Sequence, residues 1–531
     1  MVFVPREPFT AAMFGLAGGP PRAVPSDAVI AAASRIGPAD VVQKLVLLSI
    51  FVLACSGTAA LLRREHWLAR LAAGVFYAWN PFVAERLLIG QWALLLGYAG
   101  LPWVLRAATR DSVASWRGAG RLSLALLPAA VGGFAAMVVS ALVLVPATLL
   151  ARPPMPAPAP GPAPASVAAP APPPARRPVG ATAVALLVLA VGSLPWLIPS
   201  VLHRVYADPA GVAAFAARAD TPFGSLGSLL MLGGAWNAQT VPAGYGGAWS
   251  AWWLALVVVA VAGYAALAAR PRRWPGLGVA AVAGVVIAGI GVTGAGQEML
   301  RDGIRLWAGF AVLRDGQQFV APLALAEATG FGLAVAWAMK PHALSWRGTG
   351  QQRTRTSHAD RTGTSHADRP GLAIGVAALL APVLLLPGLA WGAAGRLRPV
   401  WYPAGWLAAA RVIDDSRVPG DVLLLPWAAY RRPAWNGGEA VLDPWPRLLS
   451  RPVIWNDGVQ VGNRHLVSDD PVARRLDGVI GSPGPLTHAL QRAGVRFVIV
   501  DAGPSVRARL PGCTPLISEP GLDVCQLPQD R

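Results

Sequence analysis

Up to residue 395 the chain alternates long apolar stretches with short arginine-bearing connectors. Apolar runs fall at about 42–62, 67–83, 87–105, 122–150, 179–202, 247–269, 275–294, 317–339 and 371–395. A helix needs ~20 residues to cross the hydrocarbon core of a bilayer. The pattern therefore predicts an α-helical polytopic membrane protein. After Arg396 the pattern changes: short apolar stretches such as 421–427 and 495–501 have the length of buried strands, and helix-like and turn-like segments lie between them. A small α/β domain over 396–531 is the expectation, with a hairpin turned at Pro520-Gly521.

The connectors set the orientation. Arginines gather in 63–70 (Arg63, Arg64, Arg70), 106–121 (Arg106, Arg110, Arg117, Arg121), 152–178 (Arg152, Arg176, Arg177), 270–274 (Arg270, Arg272, Arg273) and 340–370. Short basic loops stay on the cytoplasmic side. All five can do so only if the 29-residue run 122–150 crosses twice, breaking at Gly132-Gly133 into two short helices. About ten membrane segments follow. Residues 1–41, 82–86, 203–246, 295–316 and 396–531 then lie outside. The expected domains are an exoplasmic N-terminal segment 1–41, a membrane domain 42–395 and an exoplasmic α/β domain 396–531, in a bacterial plasma membrane. No signal peptide precedes the outer segment 1–41, so a further helix upstream of Met1 is expected.

Composition supports this placement. Of the 531 residues 54% are hydrophobic and only 14% charged, against about 25% charged in soluble domains. The formal charge of +18 does not point to nucleic acid, because no basic face interleaved with aromatics appears. Lysine occurs only at Lys44 and Lys340, and with 58 Gly and 50 Pro the chain reads as the product of GC-rich bacterial DNA. Cys55 lies in an apolar run, whereas Cys513 and Cys525 are close enough to staple the C-terminal hairpin in an oxidising compartment.

Two cytoplasmic segments carry little chemistry. Residues 152–178 form a Pro/Ala linker, extended and without a core. The loop 353–369 repeats TSHADR, placing His358, Asp360, His366 and Asp368 at a period of eight. A duplicated, unstructured loop explains it better than metal binding, and no ligand cluster identifies a metal elsewhere.

Polar residues concentrate on the expected outer face. The hairpin 77–100 carries Asn80, Glu85, Arg86 and Gln91 at its tip, with Pro81 ending the incoming helix and Trp79 and Trp92 as interfacial anchors. The loop 297–319 carries Arg301, Asp302, Arg305, Arg314, Asp315, Gln317 and Gln318. Arginine forks bind phosphate, and a nearby carboxylate can take a proton from an acceptor hydroxyl. The plainer reading of 297–319 is an amphipathic helix with paired surface charges. Glu327 lies within an apolar segment, where a carboxylate is costly and marks either function or a cross-helix hydrogen bond. In the C-terminal domain, Trp435-Asn436 and Trp455-Asn456-Asp457 offer aromatic faces beside polar groups, suited to sugar rings or to interfacial packing.

The stretches YAWNPFVAERLLIGQWALLLGYAGLPWVL, LRDGQQFVAPLALA, LLLPW and GVRFVIVD give a layout that resembles the GT-C-type polytopic membrane glycosyltransferases, especially actinobacterial arabinofuranosyltransferase-like membrane proteins and, more loosely, YfhO-like ones. The resemblance implies a sugar site on the outer face, a polyprenyl-phosphate sugar as donor, a cell-envelope glycan or lipid as acceptor, and a role in cell-wall biogenesis. It implies acidic residues in the first outer loops. Here those are Glu7, Asp27 or Asp40 in the first and Glu85 in the second, with Glu85 and Asp27 as base or metal ligand. Asn80, Arg86, Gln91, Arg301, Arg305, Arg314, Asp315 and Gln318 would hold substrate and its phosphate. The cofactor is unknown, and a divalent metal is compatible with such a site. Two other classes fit the same layout: a transporter or flippase of lipid-linked precursors with Glu327 on its path, and a non-catalytic envelope-assembly protein that binds through residues 396–531.

Overall fold

The computed structural model describes residues 3–16, 21–110, 113–150, 178–203, 207–268, 274–340, 369–461, 464–501 and 504–529. The TSHADR repeat and nearly all of the Pro/Ala linker lie outside the described residues. In chain order the helices up to residue 385 are α1 (Ser26–Ala33), α2 (Ala39–Leu61), α3 (Trp67–Ala78), α4 (Pro81–Ile89), α5 (Trp92–Arg110), α6 (Trp116–Gly132), α7 (Phe134–Leu149), α8 (Pro178–Leu202), α9 (Gly211–Ala214), α10 (Gly224–Leu230), α11 (Ser250–Gly263), α12 (Pro275–Ile290), α13 (Gly294–Leu306), α14 (Ala321–Ala338) and α15 (Arg369–Leu385).

Among the described residues, four helices are long and apolar enough to cross a membrane, or six when two bent pairs each count as one span. The expectation of about ten segments is not borne out by length and composition. The difference lies in helices such as α3, whose 12 residues reach only about 18 Å at 1.5 Å per residue. α6 and α7, at 17 and 16 residues, also fall short.

The expected break in 122–150 is present. α6 ends at Gly132, and Gly133 adopts φ 82°, ψ −154° before α7 begins. A Cβ at Gly132 would lie 2.4 Å from the Ala93 carbonyl oxygen, and Pro128 packs beside Gly100, so α6 runs antiparallel to α5. After the break, Ala136 returns to the level of Gly97. The chain therefore reverses at Gly133, a conformation that L side chains rarely adopt.

α14 is the centre of the bundle. Nearly all of its residues, from Ala321 to Leu333 without a break, are buried, unlike α8, whose residues Leu187, Val191, Ile198 and Val201 are exposed. Small residues let its neighbours come close. A Cβ at Gly330 would stand 2.1 Å from the Ala260 carbonyl oxygen of α11, and one at Gly263 would stand 2.3 Å from the Gly330 carbonyl oxygen.

The C-terminal region is built on β1 (Asp421–Leu425), β2 (Tyr430–Arg431), β3 (Val441–Leu442), β4 (Val453–Ile454), β5 (Gln460–Val461), β6 (Arg464–His465), β7 (Val495–Val500), β8 (Thr514–Glu519) and β9 (Leu522–Gln526). Five strands form one sheet in the order β4-β1-β7-β9-β8. β1 is parallel to β4 and β7, while β7–β9 and β8–β9 are antiparallel. The two apolar runs read from the sequence are the central strands β1 and β7, and the hairpin turns at Pro520-Gly521 as expected. One face packs on Trp406, Ile413 and Trp445 and also takes in Val4 from the N-terminal segment. The other packs on Leu476, Ile480 and Leu490. Cys513 and Cys525 form a disulfide.

Candidate functional site

The tip of the 77–100 hairpin differs from its expected form. α3 ends at Ala78, and Pro81 occupies the first turn of a new nine-residue helix, α4, where its missing N–H costs nothing. Asn80 caps this helix: its Oδ1 accepts from Val83 N, and its Nδ2 donates to the Phe76 and Tyr77 carbonyls and to Tyr98 Oη. Gly90, at φ 88°, stops the helix. Asn80 is thus a structural joint between α3 and α4, with every polar atom satisfied inside the protein.

Arg86 is 1% exposed. Its Nη1 donates to Gln91 Oε1 at 2.7 Å and to both carboxylate oxygens of Asp315 at 3.1 and 3.3 Å. Gln91 Nε2 completes the triangle by donating to Asp315 Oδ2 at 3.2 Å. Three residues expected to bind substrate phosphate therefore bind one another, and they join α4 to the loop before α14. Gln91 and Asp315 still reach the cleft described below with part of their surface.

Glu85 is 2% exposed and does not line that cleft. Its Oε2 accepts from Ala235 N at 3.2 Å, while Asp220 Oδ2 accepts from the adjacent Gly234 N at 2.5 Å. The remaining oxygens, Glu85 Oε1 and Asp220 Oδ1, are buried without a hydrogen-bond partner. Burial first, and the Asp220 charge second, push the Glu85 carboxyl well above the usual range. Burial likewise raises Asp220. This pair clamps residues 233–236 onto α4 and so sets the position of Trp236.

The cleft has a volume of about 460 Å³ and lies between the N-terminal segment, the α4–α5 turn and the sheet domain. Its acidic floor comes from the N-terminal segment. Arg22 Nη2 pairs with Glu7 Oε1 at 2.5 Å, and Asp27 Oδ2 lies 3.5 Å from Arg22 Nε and 3.1 Å from Arg447 Nε. Arg22 also donates to the Pro446 carbonyl. Two carboxylates and two guanidiniums thus tie the N-terminal segment to the helix Trp445–Leu448 of the sheet domain. Burial first, then the Asp27 charge, raises Glu7 to about 7, against the opposing pull of Arg22 and Arg447. Trp92, Trp236, Phe215 and Tyr430 supply aromatic walls. Arg314 stacks over the Phe215 ring at 5.0 Å, and its charge acts on Asp469, which burial raises to about 6.

Other sequence candidates sit elsewhere. Arg301 pairs with Glu298 and Arg305 with Asp302 along α13; neither arginine lines the cleft. Gln318 donates to the Val312 carbonyl at 2.6 Å. Glu327 is buried in α14, and neither carboxylate oxygen has a hydrogen-bond partner. Trp435 packs on Tyr402 and Trp406, and Asn436 donates to the Glu439 carbonyl. Trp455 packs beside the core of one sheet face. Asn456 and Asp457 tie down their own loop through Trp427, Gly458, Ser468 and Asp469. No cluster of metal-ligating side chains occurs among the described residues. Sequence reasoning missed Arg22, Arg447 and Asp220, and the only local signal was an arginine beside a buried tryptophan in PWPRLL.

The architecture is that of a polytopic helical membrane protein with a small sheet domain and a polar cleft where the two meet. Its backbone is similar to the cryo-EM structure of arabinofuranosyltransferase AftD from mycobacteria, with a TM-score of 0.54 at 18% identity over 94% of this chain. Two reconstructions of a mutant of that protein give the same TM-score at 17% and 15% identity. The chain spans about a third of the length of these structures, 35–36%. No protein-family model and no curated protein matches the sequence. The resemblance expected from the sequence thus holds at the level of fold.

Proposed function

We propose that the chain is a GT-C-type membrane glycosyltransferase that moves a sugar from a polyprenyl-phosphate donor to a cell-envelope glycan or lipid on the outer face of the plasma membrane. One observation carries this reading. The cleft joins carboxylates from the N-terminal segment to arginines from the bundle end and the sheet domain, beside aromatic walls. Arg314 and Arg447, which both line the cleft, would supply donors for the donor phosphate, which planar guanidinium forks suit. Trp92, Trp236 and Tyr430 offer faces for sugar CH groups. Asp27, which lines the cleft with Glu7 beside it, would accept the proton of the attacking hydroxyl. The acceptor oxygen bonds to the anomeric carbon as the bond from that carbon to the phosphate oxygen breaks. The electron pair leaves with the polyprenyl phosphate. Glu85 serves here as a positioning residue, because its carboxyl holds residues 233–236 rather than facing the cleft.

The test is sugar transfer by the full chain in lipid nanodiscs. Asp27→Asn should lower the rate by roughly a hundredfold or more, the scale of a lost general base, with donor affinity retained. Transfer at the wild-type rate in Asp27→Asn would remove the assignment.

A further inference from the structure

α12 and α13 meet at an angle of 92°. α12 has the exposed apolar face of a lipid-facing helix, with Val279, Val282 and Val286 outward. A helix perpendicular to one that runs along the bilayer normal lies in the plane of the membrane surface. α13 has 13 residues, about 20 Å in length.

Its residues divide into three sectors at ~100° per residue. Leu300 and Ile304 are buried against Ala207 and Val212. Glu298, Arg301, Asp302 and Arg305 form a charged sector roughly 100° wide. Met299, Gly303 and Leu306 form a third sector roughly 60° wide; Phe310 lies against it at Gly303, while Met299 and Leu306 stay exposed among the described residues. Met299 is 57% exposed and Leu306 84%; Trp307, which follows, is 60% exposed and meets Phe310 edge-on. A helix solvated on all its free surface would not hold a leucine, a methionine and a tryptophan at these exposures together.

We propose that the Met299–Leu306–Trp307 face of α13 is seated in the bilayer interface, with its charged sector toward water. The occupant is a lipid surface, because the face continues from a lipid-facing helix and ends on an aromatic pair of the kind enriched at that depth. The two arginines are neutralised within the helix by Glu298 and Asp302. Apolar insertion therefore drives the seating, and anionic lipid adds little. The segment after Phe310 leads directly to Arg314, so the seating places this side of the cleft at the depth where a lipid-borne headgroup emerges. The inference rests on the helix geometry and stands independently of the transferase reading.

The experiment uses the full chain with Cys55→Ser, which leaves the Cys513–Cys525 disulfide intact. A spin label is attached at Met299→Cys, Leu306→Cys or Asp302→Cys, in nanodiscs of phosphatidylcholine with and without phosphatidylglycerol. Labels at 299 and 306 should be reached by oxygen and shielded from a water-soluble nickel chelate. The label at 302 should show the reverse, and anionic lipid should leave all three unchanged. Equal chelate access at 302 and 306 would overturn the proposal in favour of a solvated helix. Immobilisation with neither reagent admitted at 306 would overturn it in favour of a protein partner or a second copy.

Discussion

Replacing Asp315 by Asn tests the joint on which the cleft wall is built. Asp315 accepts two hydrogen bonds from Arg86, which is 1% exposed, and one from Gln91. The asparagine keeps the shape and one acceptor oxygen but removes the charge, leaving a buried guanidinium with amide oxygens in place of its carboxylate partner. Breaking a buried ion pair from one side costs about 3–5 kcal/mol. The Asp315 side chain is itself 18% exposed, so solvent screening places the effect near the low end, ~3 kcal/mol. An internal control lies 13 residues earlier: Asp302→Asn breaks an ion pair whose side chains are 62% and 72% exposed, and such pairs contribute about 0.5 kcal/mol. Thermal unfolding of the full chain in one detergent would compare the two. At about 2–4 °C per kcal/mol for a unit of a few hundred residues, Asp315→Asn should lower the midpoint by about 6 °C or more and Asp302→Asn by about 2 °C or less. The double variant Arg86→Met with Asp315→Asn should recover part of the loss, because it removes the stranded charge. Equal shifts for Asp315→Asn and Asp302→Asn would refute the claim that Arg86 and Asp315 lock α4 to the loop before α14.

Two further outcomes follow from other parts of the molecule. Glu7 is held at about 7, above the ordinary 4.5, so the folded protein keeps a proton that the unfolded chain loses. Its contribution to stability is present below about pH 4.5 and declines as the pH rises to about 7. The difference in melting midpoint between wild type and Glu7→Gln should change across that window and be flat above it, and a difference that stays constant with pH would contradict the burial of Glu7. At the helix crossing, Gly330→Leu places a side chain against the Ala260 backbone and should prevent α11 from packing on α14. Retention of a monodisperse, folded protein by that variant would contradict the close approach.

Much of the frame could be read from residue patterns. The double glycine at 132–133 gave the reversal between α6 and α7 because its two flanks were each too short, and together too long, for one crossing. The central strands β1 and β7 were visible as uninterrupted apolar runs. The clustering of Asn80, Glu85, Arg86 and Gln91 was visible in the sequence, but their contacts were not. A short helix whose residues Pro81 to Leu87 are all buried has the same local pattern as an exposed turn between two apolar runs. Its partners are also remote in sequence: Glu85 meets Ala235 and Arg86 meets Asp315. Asp27 finds Arg447 across the whole chain, and no local periodicity encodes such a pairing. Trp435 and Trp455 looked alike as sugar platforms because sequence does not say which face of a tryptophan is already covered. The expected ten segments exceed the four to six helices that are long and apolar enough to cross among the described residues, because the apolar character of a run does not reveal how long its helix is.

The claim that the cleft holds a lipid-phosphate sugar is tested most directly by photo-crosslinking. A polyprenyl-phosphate sugar with a photoactivatable group on the sugar would be bound to the full chain in nanodiscs, and the labelled peptides identified by mass spectrometry. Labels should fall on residues 88–92, 314–315 and 440–447, compete with unlabelled donor, and drop sharply in Arg314→Gln. Competable labelling confined to α14 around Glu327, with none in those three segments, would contradict the account and favour a path through the bundle.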